Sequence, residues 1–585
     1  METETMRKTK IICTLGPATD KGEVLRELIL AGMDVARFNF SHGTREAQKE
    51  RLDRLVALRE ELGRPVAALL DTKGPEVRTG MLKEGKLALS AGMSVTLTTR
   101  ECVGEGTVIP VNYRNLPRDL KVGATVLLDA GLIEMRVREL SDEEIVCEVQ
   151  NDGVLGNQKG SNLPGTKLTL PFISERDRAD ILFGVDNGFD FIAASFTRSA
   201  EDILEIRRLL SEHGKGDISI IAKIENAEGV ANIDEIIRVS DGVMIARGDM
   251  GVEIPIEEVP ALQKKIIKKV SRSGKIVITA TQMLDSMMKN PRPTRAETTD
   301  VANAIYDGTG AIMLSGETAA GAYPVQALRT MVRITLRTEA DIDYMKRFKL
   351  ALVEDRMNIT NAISHATCTT AHDIGAAAII PITKSGKSAR MIAKYRPTCR
   401  IVACTPYRRT VRQLMLCFGV TPVLIEKTDV QEELFARAVS AAEKTGHIQS
   451  GDLVVLTAGL PLGVTGSTNM IKVHVVGDVL LYGTGGATQS VTDRVRVVRE
   501  GQMPPADFEK GEILVVSKTN DALLPLMKKA AAIIVEQPGA NTHTAIYGYE
   551  TGKPVILGAV GVTEKLRTGR TVRVDALRGT VTMIG

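Results

Sequence analysis

SIIAKIENAEGV, residues Ser219 to Val230, is followed about one secondary-structure unit later by ARGDMG, residues Ala246 to Gly251. Each opens as an apolar, β-branched run, Ser219-Ile220-Ile221-Ala222 and Val243-Met244-Ile245-Ala246, and ends abruptly in charge. A buried strand delivers reactive groups to a sheet edge in this way. Lys223 and Glu225 are two apart, and residues two apart on a strand point to one face, so this ammonium and this carboxylate look into one space. Asp249 emerges from the next strand at a similar depth. Two carboxylates and a lysine converging at strand ends suggest a divalent metal with a cation beside it. The alternative is a structural ion pair. Desolvating such charges is costly and a single Lys–Glu pair rarely recovers it, which favours a site.

Outward from this stretch, short β-branched runs alternate with amphipathic helical stretches, the pattern of a parallel sheet wrapped in helices. The strands fall at 10–14, 34–40, 66–71, 189–196, 219–225, 242–247, 275–280 and 311–315. Eight strands, each followed by a helical stretch, count out a (β/α)₈ TIM barrel within an α/β fold, with its site at the C-terminal strand ends. Polar residues fall there. Arg37, Asn39 and Ser41 share one face of strand two while Phe38 and Phe40 face the helices, and strand three ends DTKGPEVR, Asp71 to Arg78. Strand seven ends TATQM and strand eight SGET.

The alternation breaks between about Pro75 and Pro171, where period-two runs and turn residues predict an inserted all-β lid domain. Its loop from Asn151 to Gly165 carries Lys159. From about Asp341 an α/β unit resumes. Its TKSGKS segment, Thr383 to Ser388, joins a strand to a helix, which reads either as a site for a small phosphorylated ligand or as a plain capped helix. After Val476 comes a Gly-containing linker, then a last small unit from about Gly511. There His543 opens a predicted helix, and a lone histidine is more often structural or solvated than catalytic. The expected domains are therefore a barrel at 1–74 and 171–340, a lid at 75–170, an α/β domain at 341–475, and a linker plus C-terminal domain at 476–585.

A chain of 585 residues exceeds the ~250–300 at which single cores split. With 75 Lys+Arg against 72 Asp+Glu, the formal net charge of +3 makes no electrostatic case for nucleic acid or a membrane surface. Seven scattered cysteines without a CxxC pair read as reduced thiols in a cytoplasm. No run reaches the ~18 apolar residues of a membrane helix.

SIIAKIENAEGV together with VARFNFSHG, LLDTKGPEVRTG, ARGDMGVEIP, TATQMLDSM, NPRPTRAE and MLSGETAAG resembles the pyruvate kinase family, in the family's order from Lys8 to about Val475. The chain is similar to the bacterial branch, since the N-terminal extension of animal members is missing. The resemblance implies that Glu225 and Asp249 bind Mg²⁺ (or Mn²⁺) and that Lys223 stabilises the transferring phosphoryl group and departing enolate. Arg37 would hold the phosphate, Gly248 and Asp249 would offer N–H groups to the substrate carboxylate, and Thr281 would bind substrate and order a proton-donating water. Asn39, Ser41, Asp71 and Thr72 match the family's K⁺ ligands, and Glu76 matches the position that marks K⁺-dependent members. Arg78 and Lys159 would meet the ADP/ATP phosphates, with His42 nearby.

Some positions depart from the family pattern. Asp129 is followed by Ala130, and the usual LysLysGly is Gln158-Lys159-Gly160, which affects lid contacts only. Thr383, Lys384, Ser385, Gly386, Lys387 and Ser388 are similar to the family's effector phosphate loop. LPLGVTGS, residues Leu460 to Ser467, replaces the loop of fructose-bisphosphate-activated animal members, so the expected effector is a smaller sugar phosphate or a nucleoside monophosphate. The final unit resembles the mobile domain of phosphoenolpyruvate-utilising enzymes, with His543 expected to be non-catalytic.

The expected function is transfer of the phosphoryl group of phosphoenolpyruvate to ADP by a cytoplasmic homotetramer. One rival is a dikinase-like relay through His543, disfavoured because almost nothing precedes the first strand. A metabolite sensor is the other, disfavoured because the barrel residues are undamaged.

Overall fold

The structure, a computed structural model, describes residues 7–350, 359–459, 468–477, 479–486 and 489–584. Eight parallel strands close into a barrel: β1 (Lys10–Thr14), β2 (Val35–Asn39), β3 (Ala67–Asp71), β4 (Phe191–Ala194), β5 (Ser219–Ile224), β6 (Gly242–Ala246), β7 (Ile276–Ala280) and β8 (Ala311–Leu314). Closure comes from β1 pairing with β8 in the register Lys10↔Ala311 to Cys13↔Leu314. Alternation decides what fills each side. Ile12, Val35, Leu69, Phe191, Ile221, Met244 and Ile278 pack together as one cluster inside the barrel. Their neighbours pack against the helices. Phe38 and Phe40 belong to this outer set, with Phe38 edge-on to Phe189 at 5.1 Å between ring centroids. β1 matches its sequence pattern and the other seven strands are one to four residues shorter; at β5, β6 and β8 the residue lost is the last polar one, Glu225, Arg247 and Ser315, which already belongs to the loop or helix after the strand.

Between β3 and β4 the chain leaves the barrel to form a six-stranded sheet and a separate two-stranded ribbon. The sheet closes over Val95, Leu97, Val126, Met135, Val137, Ile145 and Cys147. One helical turn, Leu116–Asp119, interrupts the strands. Four residues are too few to leave a 3.6-residue period in the sequence.

The chain divides into two units. The first comprises Met1–Arg356, Ser385–Arg396 and Tyr407–Pro422. Stretches from within the expected α/β domain thus group with the barrel, and the reason is chemical. Arg412 donates from Nε to the fully buried Asp190 at 2.8 Å, and Gln413 Nε2 donates to the Asp217 carbonyl at 2.8 Å.

In the second unit, Ala378–Pro381 lies between parallel neighbours Arg400–Thr405 and Leu453–Gly459, with Thr468–Val475 antiparallel to the latter. The C-terminal residues form an eight-stranded sheet with parallel strands at its centre. The stretch expected as a linker supplies the strands at both ends of this sheet, Val479–Tyr482 and Thr484–Gly485. Only Gly483 separates them, so the sheet curls back on itself. Glycine is required there: a Cβ on Gly485 would lie 1.5 Å from the Ala576 carbonyl oxygen. Gly485→Ala should destabilise the C-terminal sheet by at least the ~1–3 kcal/mol typical of overpacking. Thermal unfolding of the full chain reads this, and an unshifted transition would contradict the close approach.

Candidate active site

Register brings the first charges together. Asn39 at the end of β2 pairs with Asp71 at the end of β3, and Arg37 lies two residues earlier on the same face as Asn39. Asp71 is 1% exposed. Its Oδ2 accepts from Arg37 Nε at 2.6 Å, and its Oδ1 lies 3.1 Å from Lys223 Nζ. Arg37 also donates to the Thr14 hydroxyl at 3.0 Å. Burial acts against ionisation of Asp71, but the charges and hydrogen bonds of Arg37 and Lys223 outweigh it and hold its carboxyl below the usual aspartate range.

Lys223 near the end of β5 also lies 3.1 Å from Glu225 Oε1, and its Nζ donates to the Ser195 hydroxyl at 2.7 Å. Glu225 accepts from the Phe196 N–H at 2.6 Å. Burial pushes the Glu225 carboxyl up. Lys223 opposes that rise, while the charges of Asp249 and Asp71 add to it. Two cations, Arg37 and Lys223, thus face three carboxylates, Asp71, Glu225 and Asp249. The excess negative charge falls on Glu225 and Asp249, where a divalent cation would relieve it. Carboxylate oxygens without thiol or imidazole suit a hard ion such as Mg²⁺, which commonly takes one or two carboxylates and leaves its other positions to substrate and water. Among the described residues, no group of three or more His, Cys, Asp or Glu converges for a metal, so the fit is to this open type of site.

Asp249 stands in the first turn of the helix Arg247–Glu253, directly after β6. The preceding Gly248 donates its N–H to Thr281 Oγ1 at 2.7 Å. A substrate carboxylate taking that N–H would displace the hydroxyl. Thr281, Gln282 and Phe196 are non-glycine residues with positive φ, at 69°, 54° and 54°. Such backbone costs of order 1–3 kcal/mol each and clusters at functional sites. Here it falls directly after β4 and β7, at the barrel mouth.

Of the residues matched to K⁺ ligands, Asn39 Oδ1 accepts from Ser41 N at 3.1 Å, and the Thr72 carbonyl accepts from Ser195 Oγ at 2.7 Å. They gather at the ends of β2 and β3. Glu76 accepts from Arg78 Nε at 2.8 Å, and Lys159 in the lid lies 2.9 Å from Asp129. His42 is exposed on the loop after β2.

A cavity of about 390 Å³ opens between lid and barrel, lined by Glu76, Asn162 and Lys167 on one side and Phe196, Arg198, Asp249 and Glu253 on the other. Asn162 donates to Glu253 at 3.0 Å across it. Thr383 and Lys384 fall in the second unit and Ser385 to Ser388 in the first. Gly386, at φ 77°, caps the helix Lys387–Ala393. The Leu460 to Ser467 segment lies outside the described residues.

Sequence reasoning did not single out Thr14, Ser195 or the Phe196 N–H. Ser195 was open to the same argument as the others, being a polar residue directly after a buried strand. The Phe196 contribution is a main-chain one and leaves no mark in side-chain chemistry.

The pyruvate kinase barrel-domain family matches residues 6–328, the pyruvate kinase alpha/beta-domain family matches 361–474, and the mobile-domain family of PEP-utilising enzymes matches 508–579. A pyruvate kinase of Geobacillus stearothermophilus is 48% identical over 577 residues, 98% of each chain. One from Staphylococcus saprophyticus is 47% identical over 580 residues, covering 98% of this chain and 99% of its own. A solved pyruvate kinase structure from Cryptosporidium parvum superposes with a TM-score of 0.76 at 41% identity, covering 80% of this chain and 96% of that one.

Asp71→Asn would leave Arg37 and Lys223 without their shared carboxylate, a loss of about 3–5 kcal/mol for a broken buried pair. The native pKa of Asp71 lies below its ordinary 3.8, so its stabilisation is complete above that value and is lost as pH falls through the native one. Denaturant unfolding should show the gap between the two proteins at pH 7 and its closing in acid. A variant as stable as its parent at pH 7 would contradict the arrangement.

Proposed function

The chain belongs to the pyruvate kinase family and transfers a phosphoryl group between phosphoenolpyruvate and ADP, giving pyruvate and ATP; we propose that the barrel mouth carries the whole reaction, with Mg²⁺ (or Mn²⁺) and K⁺. The observation behind this is the placement of Lys223 between Asp71 and Glu225, beside Arg37. Phosphoryl transfer needs positioning and charge neutralisation more than covalent chemistry, and this cluster offers both.

Arg37 and Lys223 bind the phosphoryl oxygens of phosphoenolpyruvate and set the phosphorus in line with a β-phosphate oxygen of ADP. As the new P–O bond forms, the bond to the enol oxygen breaks, and Lys223 stands beside the negative charge left on it. Thr281 orients a water whose proton goes to the methylene carbon, completing pyruvate. Glu225 and Asp249 hold the divalent cation, which supplies further charge neutralisation when bound. Asn39, Ser41, Asp71 and Thr72 hold K⁺, with Glu76 keeping that requirement. Arg78 and Lys159 meet the nucleotide phosphates as the lid closes, with His42 beside them.

The Thr383 to Ser388 loop takes a sugar phosphate or nucleoside monophosphate activator, and the enzyme works as a cytoplasmic homotetramer. Among the described residues no helix is long and apolar enough to cross a membrane. Size-exclusion chromatography with light scattering tests the tetramer.

Steady-state pyruvate formation with Mg²⁺ and K⁺ varied separately tests the cation roles. Glu225→Gln should cut turnover by about 10²–10³-fold, the loss typical of removing one electrostatic stabiliser, and raise the Mg²⁺ needed. Omitting K⁺ should lower the rate of the parent enzyme, and ribose 5-phosphate or AMP should lower its KM for phosphoenolpyruvate. Unchanged Mg²⁺-dependent turnover in Glu225→Gln would remove the metal assignment.

A further inference from the structure

The Ser195 hydroxyl, 2% exposed at the end of β4, is enclosed by three groups of the site. It accepts from Lys223 Nζ at 2.7 Å. Its own proton has two acceptors in reach, the Thr72 carbonyl at 2.7 Å and Asp71 Oδ1 at 3.1 Å. The three ammonium protons of Lys223 thus have three neighbours: Asp71, Glu225 and Ser195. Ser195 is the nearest and the only uncharged one.

The serine is itself held firmly. Its N–H donates to Thr72 Oγ1 at 3.1 Å, and the Thr72 N–H donates to the Ala193 carbonyl at 3.0 Å, which clasps β3 to β4. Glycine at 74 is what lets the chain run this close to the serine, since a Cβ there would lie 2.8 Å from Ser195 Cβ. The next residue, Phe196, turns through φ 54° and gives its N–H to Glu225 at 2.6 Å. Consecutive residues of one strained turn therefore hold the ammonium and the carboxylate.

We propose that Ser195 is a positioning residue for phosphoryl transfer: its hydroxyl gives the Lys223 ammonium a neutral tether beside the carboxylates on either side. In the function proposed above, those carboxylates also take K⁺ and Mg²⁺. A lysine tethered only by Asp71 and Glu225 would shift with them, and a flexible four-carbon stem offers no resistance. The neutral hydroxyl, anchored through main chain on two strands, keeps the ammonium in place through turnover. The inference rests on the role proposed above for Lys223.

The test compares Ser195→Ala, Ser195→Cys, Lys223→Met and the double variants in the full-length enzyme, reading kcat, KM for phosphoenolpyruvate and the thermal midpoint. Ser195→Ala should lower kcat by about 10–10²-fold, the scale of a small misplacement of a catalytic group, with KM changed by less than about 3-fold. Ser195→Cys, which keeps the volume but is a weak acceptor, should lose kcat similarly, and it carries the same comparison if the alanine variant does not fold. In the Lys223→Met background either serine change should cost nothing further, because the group it positions is gone. The same fractional loss in both backgrounds, or a loss that tracks a lowered thermal midpoint, would make Ser195 merely structural and overturn the proposal. So would an unchanged kcat in Ser195→Ala. Full activity in Lys223→Met alone would instead remove the role of Lys223, and the positioning role with it.

Discussion

The carboxylate of Asp71, shared between Arg37 and Lys223 in a nearly closed space, is the contact on which the arrangement of the mouth depends. Each cation alone would suffer the full cost of desolvation, and so would the carboxylate. Together they form a chain of opposite charges running from Arg37 on β2 through Asp71 on β3 to Lys223 on β5, and then to Glu225. The chain crosses β4 without a charged residue. Ser195 and the Phe196 N–H fill that gap with neutral groups. Four adjacent strands, β2 to β5, are thereby fixed at one height, which lets phosphate-binding cations and metal-binding carboxylates face a common substrate.

The barrel itself supplies the placement. Parallel strands buried on both faces carry their charges at their ends, and in this fold the C-terminal edge is where the loops build a site. The eight runs from Lys10 to Leu314 were therefore legible as strands, and the charges at their ends as a site. Lys223 and Glu225 could be paired by their spacing alone. Asp249 could be placed only by depth, and the structure seats it on a helix rather than on the strand. What spacing could not reveal was the pairing across strands, because register depends on barrel closure. It also could not reveal backbone donors such as Phe196, or that the Gly248 N–H already serves Thr281.

The second unit shows the opposite balance. Its central strands, such as Ile513–Val516 and Ala532–Val535, are apolar runs that announce themselves. The ends of the same sheet come from a stretch that looks like a spacer, because two short strands around glycines carry no periodicity. The reason lies in the tertiary structure, where Gly485 runs against the Ala576 carbonyl too closely for any side chain. Likewise, Arg412 and Gln413 read as ordinary helical residues until Asp190 and Asp217 are seen beside them in the first unit.

His543 is the residue on which a phosphohistidine relay would depend. It opens the helix His543–Thr551, and its Nδ1 lies 2.9 Å from the Thr519 hydroxyl. The central claim is that phosphoryl transfer is direct and takes place in the barrel. Its most direct test is pyruvate formation from phosphoenolpyruvate and ADP with Mg²⁺ and K⁺, comparing the intact chain with His543→Ala. Direct transfer predicts equal rates. Loss of activity in the His543→Ala chain alone would contradict it and point to a relay through a phosphorylated histidine.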